Sequence, residues 1–279
     1  MSNIKSILSS LLLGLAAFSG LTSCCDSTDK PQEAEIHTLA DLAGKRTAVL
    51  AGSMFQSVLE PLQPGILEYK PYTYTRVMVQ ALRERKIDAV LEDEPIAQLW
   101  AAYYPEELYV AFTYADDNYS FATRKADPLN ARISAVIQQL EQSGELEKFK
   151  NKWCKSIDQN RHITEWSHKA DYDGSVGTIR YATDFSQIPM AYEAYNERMG
   201  MDIETINRIA YELNMQVEYL NVPFANLLDT LQKGEADLVG GCMSITPERQ
   251  QKVDFVYPYY KGGMAVLARR ASKTQQKAE

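Results

Sequence analysis

The chain has 279 residues, 45% apolar and 24% charged, with 29 basic and 37 acidic side chains and a net charge of −8. That balance belongs to a globular protein long enough to bury a sizeable core. It has no basic run, which excludes a nucleic-acid partner. Its three histidines, His37, His162 and His168, have no metal-ligand spacing with one another or with cysteine, so no metal or cofactor is expected.

The N-terminus reads as a targeting segment. Lys5 supplies a positive start, and residues 7–18 form an apolar run too short to span a bilayer. Leu21-Thr22-Ser23-Cys24 is similar to a bacterial lipobox, so residues 1–23 are expected to be a signal peptide and Cys24 the lipidated residue. The folded part would then sit outside the cytoplasmic membrane on a lipid anchor. Residues 24–36 are polar and read as a tether. Cys154 and Cys242 could pair in an oxidising compartment, although nothing in their spacing demands it.

Folded structure is expected from residue 37. Residues 46–50 read as a buried strand, 54–62 as a short helix and 66–69 as a strand. Residues 74–85 form an amphipathic helix, 87–91 a strand, 96–104 a helix and 108–112 a strand. Alternation of this kind predicts an α/β lobe with a mostly parallel sheet. Residues 119–124 are a further strand, and helices over 128–142 and 144–153 break at Gly144. Residues 159–176 read as a linker. Residues 178–183 restart the pattern, followed by a strong amphipathic helix over 199–213. Strand 217–220, helix 224–232 and a strand from Asp237 complete a second lobe, and 263–268 is a last strand.

Two stretches are built alike. Lys86-Ile-Asp-Ala-Val-Leu-Glu-Asp93 and Gly234-Glu-Ala-Asp-Leu-Val-Gly-Gly241 each place an Asp before an apolar strand that ends on a polar or turn-forming edge. In open α/β sheets the carboxyl ends of strands line the ligand crevice. The second stretch continues into Ser244-Ile-Thr-Pro-Glu-Arg249. Thr246 suits an N-cap, Pro247 the first helical position, and Arg249 adds a planar fork of donors. Together they read as an anion site sized for a carboxylate.

Asp237-Leu-Val-Gly-Gly-Cys-Met-Ser-Ile-Thr-Pro-Glu-Arg249 followed by Val253-Asp-Phe-Val-Tyr-Pro-Tyr-Tyr260 resembles the family 3 bacterial extracellular solute-binding proteins. Ala182-Thr-Asp184, Asp41-Leu-Ala-Gly-Lys45, Ile87-Asp-Ala-Val-Leu-Glu-Asp93 and the helix ending at Trp153 support the resemblance. It implies a two-lobe, type II periplasmic-binding-protein-like fold, each lobe a mostly parallel sheet flanked by helices. The order departs from the family, where the segment like 178–270 comes first. The chain therefore resembles a circular permutant. Residues 37–118 form one lobe, 119–158 supply the closing strand and helices of the other, 159–176 join the usual termini, and 177–279 hold the rest. In that arrangement only the crossing near 119–125 is expected to run covalently into both lobes, leaving residues 37–118 on one hinge.

The resemblance also implies roles. Arg249, with Ser244 and the backbone of Gly241, would hold a ligand's α-carboxylate, and Asp93 would receive its α-ammonium from the opposite lobe. Phe224 would be an aromatic wall, and Asp184 would lie at a strand end in the cleft. Gln187, Met54 and Cys242 stand where relatives carry other residues, so they would shape specificity beside Ser53. The implied function is capture of an amino acid or similar zwitterion for an ABC permease. The alternatives are a ligand-sensing lipoprotein acting on a membrane partner and an enzyme of the cyclohexadienyl-dehydratase kind. No catalytic constellation stands out, so the expectation is a binding protein and not an enzyme.

Overall fold

The computed structural model describes residues 36–155 and 172–270. The expected signal peptide, Cys24 and nearly all of the tether lie outside the described residues, as do most of the linker and the C-terminal tail. The described residues all belong to one unit, residues 35–279.

In chain order the strands of the first sheet are β1 (Arg46–Leu50), β2 (Glu68–Tyr72), β3 (Ala89–Asp93) and β4 (Leu108–Tyr119). Between them run α1 (Phe55–Leu59), α2 (Thr75–Arg83) and α3 (Glu94–Tyr103). The chain then crosses to a second sheet through β5 (Ala122–Thr123), followed by α4 (Pro128–Gln142) and α5 (Glu145–Trp153). Next come β6 (Thr178–Thr183), the short strands β7 (Ser186–Gln187), β8 (Ala191–Ala194) and β9 (Glu197–Met199), and α6 (Met201–Leu213). The second sheet is completed by β10 (Gln216–Asn221), α7 (Leu227–Gln232), β11 (Leu238–Val239), α8 (Pro247–Lys252) and β12 (Asp254–Phe255). A final strand, β13 (Tyr260–Arg269), returns to the first sheet.

The first sheet has the order β2-β1-β3-β13-β4 and the second β10-β6-β11-β5-β12. In each, four strands run in one direction and a single strand, β13 in the first sheet and β5 in the second, runs against them. The side-chain period of two divides the first sheet cleanly. Ala48, Val90, Ala265 and Leu267 join one core, while Val49, Leu91, Val266 and Phe55 join another on the opposite face. Ala182, Val239, Leu227 and Leu231 form a third core on one face of the second sheet. The sequence did not foretell the small antiparallel sheet β7-β8-β9. Its strands are only two to four residues long, too short to carry a periodic signal.

The two like-built stretches perform the same task. Asp88 and Asp237 each precede a central strand and clamp an arginine on the neighbouring parallel strand. Asp88 Oδ2 accepts from the Arg46 backbone N–H and Nε, both at 2.9 Å, and Oδ1 accepts from Nη2 at 2.6 Å. Asp237 repeats the pattern on Arg180 at 3.1, 2.9 and 2.7 Å. Both carboxyls are held below the usual range: burial pushes them up, but the arginine partners outweigh it.

The single-hinge expectation is corrected. β13 does not end at the lobe boundary: all ten of its residues pair with β4, and Met264–Ala268 also pair with β3. It sits inside the first sheet, so that lobe receives the chain at two crossings, near 119–122 and near 255–260. The sequence identified the strand but not its partners, because a ladder between distant strands leaves no local pattern to read.

Candidate functional site

The anion motif folds as its residue types dictate. After β11 the chain turns at Gly240, Gly241 and Cys242. Gly241 has φ +109°, and a Cβ there would lie 2.8 Å from Thr183 Oγ1, so no other residue fits. Thr246 then caps α8, its hydroxyl accepting from the Arg249 backbone N–H at 3.3 Å. Arg249 is 8% exposed. Its Nη1 donates to the Ser244 carbonyl at 2.9 Å, and its Nη2 reaches across to the other lobe, donating to the Gly52 carbonyl at 3.1 Å. The guanidinium lies 5.5 Å from the centroid of the Phe224 ring. Phe224 itself is packed in the core with Leu227 and Leu231 of α7.

Facing this, β3 ends in Glu92 and Asp93. Asp93 stands at the N-cap of α3, yet its side chain makes no capping bond. Oδ1 is buried and has no protein partner. Burial pushes the Asp93 carboxyl well up, with Glu92 and Asp117 adding to the effect and Arg249 opposing it. Glu92 accepts from Thr75 Oγ1 at 3.3 Å and from the Asp93 N–H at 3.0 Å. Burial lifts its carboxyl to about 7, with the charge of Asp184 adding.

Asp184 and Gln187 lie on the second lobe's rim. The Asp184 Oδ1 accepts from the Ser186 N–H at 2.9 Å, while Oδ2 is buried with no partner. Gln187 is 1% exposed, and neither of its amide atoms has a partner. Ser53 follows Gly52 and also buries an unpartnered hydroxyl. Met54 packs partly against the α1 core. Cys242 is buried, and its thiol is pushed up by burial, with Asp93, Asp202 and Glu92 adding. Cys242 and Cys154 are not joined by a disulfide. An unpartnered buried polar atom costs about 1–3 kcal/mol. Several in one cleft mark a surface that a polar ligand would complete.

A cavity of about 700 Å³ opens at the rim of this cleft, lined by Gly52, Ser53, Met54, Ala225, Thr246 and Arg249 among others. Its lining includes Arg249 but not Asp93, Asp184 or Gln187.

Two acidic residues that the sequence reading missed belong here. Asp117, on β4, is buried and presents an unpartnered Oδ2. Burial raises its carboxyl, and the Ser244 hydroxyl pulls it back. Just before it, Ala115 has φ +52°, where the β4–β13 register shifts; such bulges re-aim side chains. The polar run Asp116-Asp117-Asn118 inside an apolar crossing strand was the available signal. Asp202, at the start of α6, is fully buried beneath the Gly-Gly turn. It accepts from the Tyr259 hydroxyl at 2.7 Å and the Tyr181 hydroxyl at 3.3 Å. The backbone N–H groups of Gly241 and Cys242 also point to it, and its carboxyl is pushed up to about 6, chiefly by burial.

The sheets, the two crossings and the cleft between them make a two-lobed α/β fold. Residues 179–278 match the bacterial extracellular solute-binding proteins, family 3. A probable histidine-binding protein of Campylobacter jejuni is 30% identical over 83 residues, 30% of this chain and 32% of that protein. The putative ABC transporter arginine-binding protein 2 of Escherichia coli is 30% identical over 98 residues, 35% of this chain and 40% of that protein. The membrane-bound lytic murein transglycosylase F of Desulfosudis oleivorans is 27% identical over 183 residues, 63% of this chain and 38% of that protein. The matches thus span well under half the length of these relatives.

Proposed function

We propose that this protein captures a cationic amino acid between its two lobes and delivers it to an ABC importer. One observation carries the reading: Arg249 from one lobe and Asp93 from the other are both buried at the same closed cleft, and each keeps polar capacity that the protein does not use. A planar guanidinium suits a carboxylate, and an uncapped carboxylate suits an ammonium. Glu92, Asp117 and Asp184 add acid where Arg249 is the one guanidinium that the described residues bring to the cleft. That excess favours a ligand with a second positive group, and the histidine- and arginine-binding names of the relatives point the same way. Contact with both lobes gives the ligand its differential affinity for the closed state.

Lipid attachment at Cys24 and the circular permutation through 159–176 belong to the same proposal. The lipobox-like Leu21–Cys24 supports the first. The second is supported by the family's matched segment following, and not preceding, the β1–β4 lobe. The test is a thermal-shift panel of amino acids on a fragment beginning at Ser27. A ligand that binds only the folded state raises its melting temperature. Arginine, lysine or histidine should give the largest shift, and Arg249→Ala should abolish it. No shift with any amino acid would sink the proposal.

A further inference from the structure

Three sulfur atoms converge outside the cleft. Cys154, at the C-cap of α5, places its Sγ 3.8 Å from Met190 Sδ and 3.9 Å from Met201 Sδ. The three residues come from three segments that are fixed to one another. Met201 N–H donates to the Pro189 carbonyl at 3.1 Å, and Asp202 N–H donates to the Met190 carbonyl at 2.9 Å. Both methionines are buried, while Cys154 is half-buried. The Tyr260 hydroxyl approaches the Cys154 thiol from the first sheet.

We infer that Cys154, Met190 and Met201 form a three-coordinate site for a soft monovalent cation, Cu(I). A metal–sulfur bond of about 2.3 Å around a planar three-coordinate centre spaces the sulfurs about 4 Å apart. The two spacings from Cys154 Sγ, 3.8 and 3.9 Å, match that geometry. One thiolate and two thioethers are soft ligands, which select Cu(I). Zinc prefers four ligands drawn from Cys, His and carboxylate, and no such trio is grouped among the described residues. The sequence concealed the site because its members are far apart in the chain and two of them are methionines. Binding replaces the thiol proton with the metal and involves no change of oxidation state.

The test uses the full chain carrying Cys24→Ser and Cys25→Ser, so that those thiols take no metal. Cu(I), supplied anaerobically as its acetonitrile complex, is titrated against bathocuproine disulfonate. The expected result is one equivalent bound. Met190→Leu and Met201→Leu, which keep volume and remove sulfur, should each weaken it by at least about tenfold, the loss that even an outer-shell change brings. Cys154→Ser should abolish it. Failure to take Cu(I) from the weaker chelator ferrozine, or unchanged affinity in Cys154→Ser, overturns the inference. Copper-edge absorption on the unsubstituted site gives an answer that does not depend on how the variants fold. Three sulfur neighbours support the site; two, or a nitrogen shell from histidine, refute it.

Discussion

Arg249 Nη2 donates to the Gly52 carbonyl at 3.1 Å, so the residue proposed to hold a ligand's carboxylate also fastens one lobe to the other. The contact depends on Gly52. Its φ is +78°, and a Cβ there would lie 2.6 Å from the Ala225 backbone of the opposite lobe. Gly52→Val should therefore hinder closure more than folding. Ligand affinity is expected to fall at least about tenfold, since about 1.4 kcal/mol of obstruction to the closed state suffices. Solution scattering of the liganded variant should report a larger radius of gyration than the parent. Equal affinity and equal compactness would show that this approach does not limit closure.

The cleft's acids make binding depend on pH, and the sign follows from the direction of their shifts. Glu92 titrates at about 7 in the fold, and Asp93, Asp117 and Asp184 are also raised, all chiefly by burial. Without ligand the fold holds more protons than the unfolded chain. Stability from these groups is therefore present at low pH and is lost as pH rises from the unfolded value of about 4 through about 7. A cationic ligand favours the ionised carboxylates and displaces their protons. Its affinity should thus rise with pH across that window, by at most about tenfold per unit for each proton released, and level off above it. Calorimetry in buffers of different ionisation enthalpy measures the protons directly. A flat profile would argue for a ligand without a second cation.

The sequence made part of this site legible, for identifiable reasons. Arg249, Ser244 and Gly241 lie in one unbroken motif whose turn and cap chemistry is local, and Asp93 ends a strand that mirrors it. Asp117 and Asp202 escaped because their roles depend on burial by distant segments. Asp202, one residue into α6, resembles any acid in a helix's first turn until Tyr181, Tyr259 and the Gly-Gly turn are seen above it. The strand over 263–268 was readable, but its place between β3 and β4 was not, and the expected single hinge went with it.

The matched clamps on Arg46 and Arg180 should contribute comparably to their lobes, with Asp237 the larger because it also accepts from Arg124 Nη2 at 3.3 Å. Each clamp joins two charge-assisted side-chain bonds to one backbone bond, but all four of its side chains keep partial access to water, which screens the pair. Asp88→Asn and Asp237→Asn are each expected to cost about 1–2 kcal/mol, within the range for bonds to charged groups. Both carboxyls are depressed, so their contribution is present above the unfolded value and is lost as pH falls below about 4. Urea unfolding at neutral pH and again at low pH checks both statements. A difference between the variants that persists at low pH would mean that the asparagine side chain, and not the lost charge, sets the cost.

Asp202 braces the Gly-Gly turn of the proposed anion cradle from behind. Its four incoming donors are the hydroxyls of Tyr181 and Tyr259 and the N–H groups of Gly241 and Cys242. Asn in its place would turn an NH₂ group toward donors and leave at least one of them unsatisfied, at about 1–3 kcal/mol. Asp202→Asn should therefore lower the melting temperature and also weaken ligand binding, because the Gly241 turn loses its anchor. The two effects separate by temperature. If Asp202 positions the cradle, affinity stays reduced far below the transition, where the variant is fully folded. If affinity there equals that of the parent, Asp202 serves stability alone and the turn is held by Gly240 and Gly241 without it.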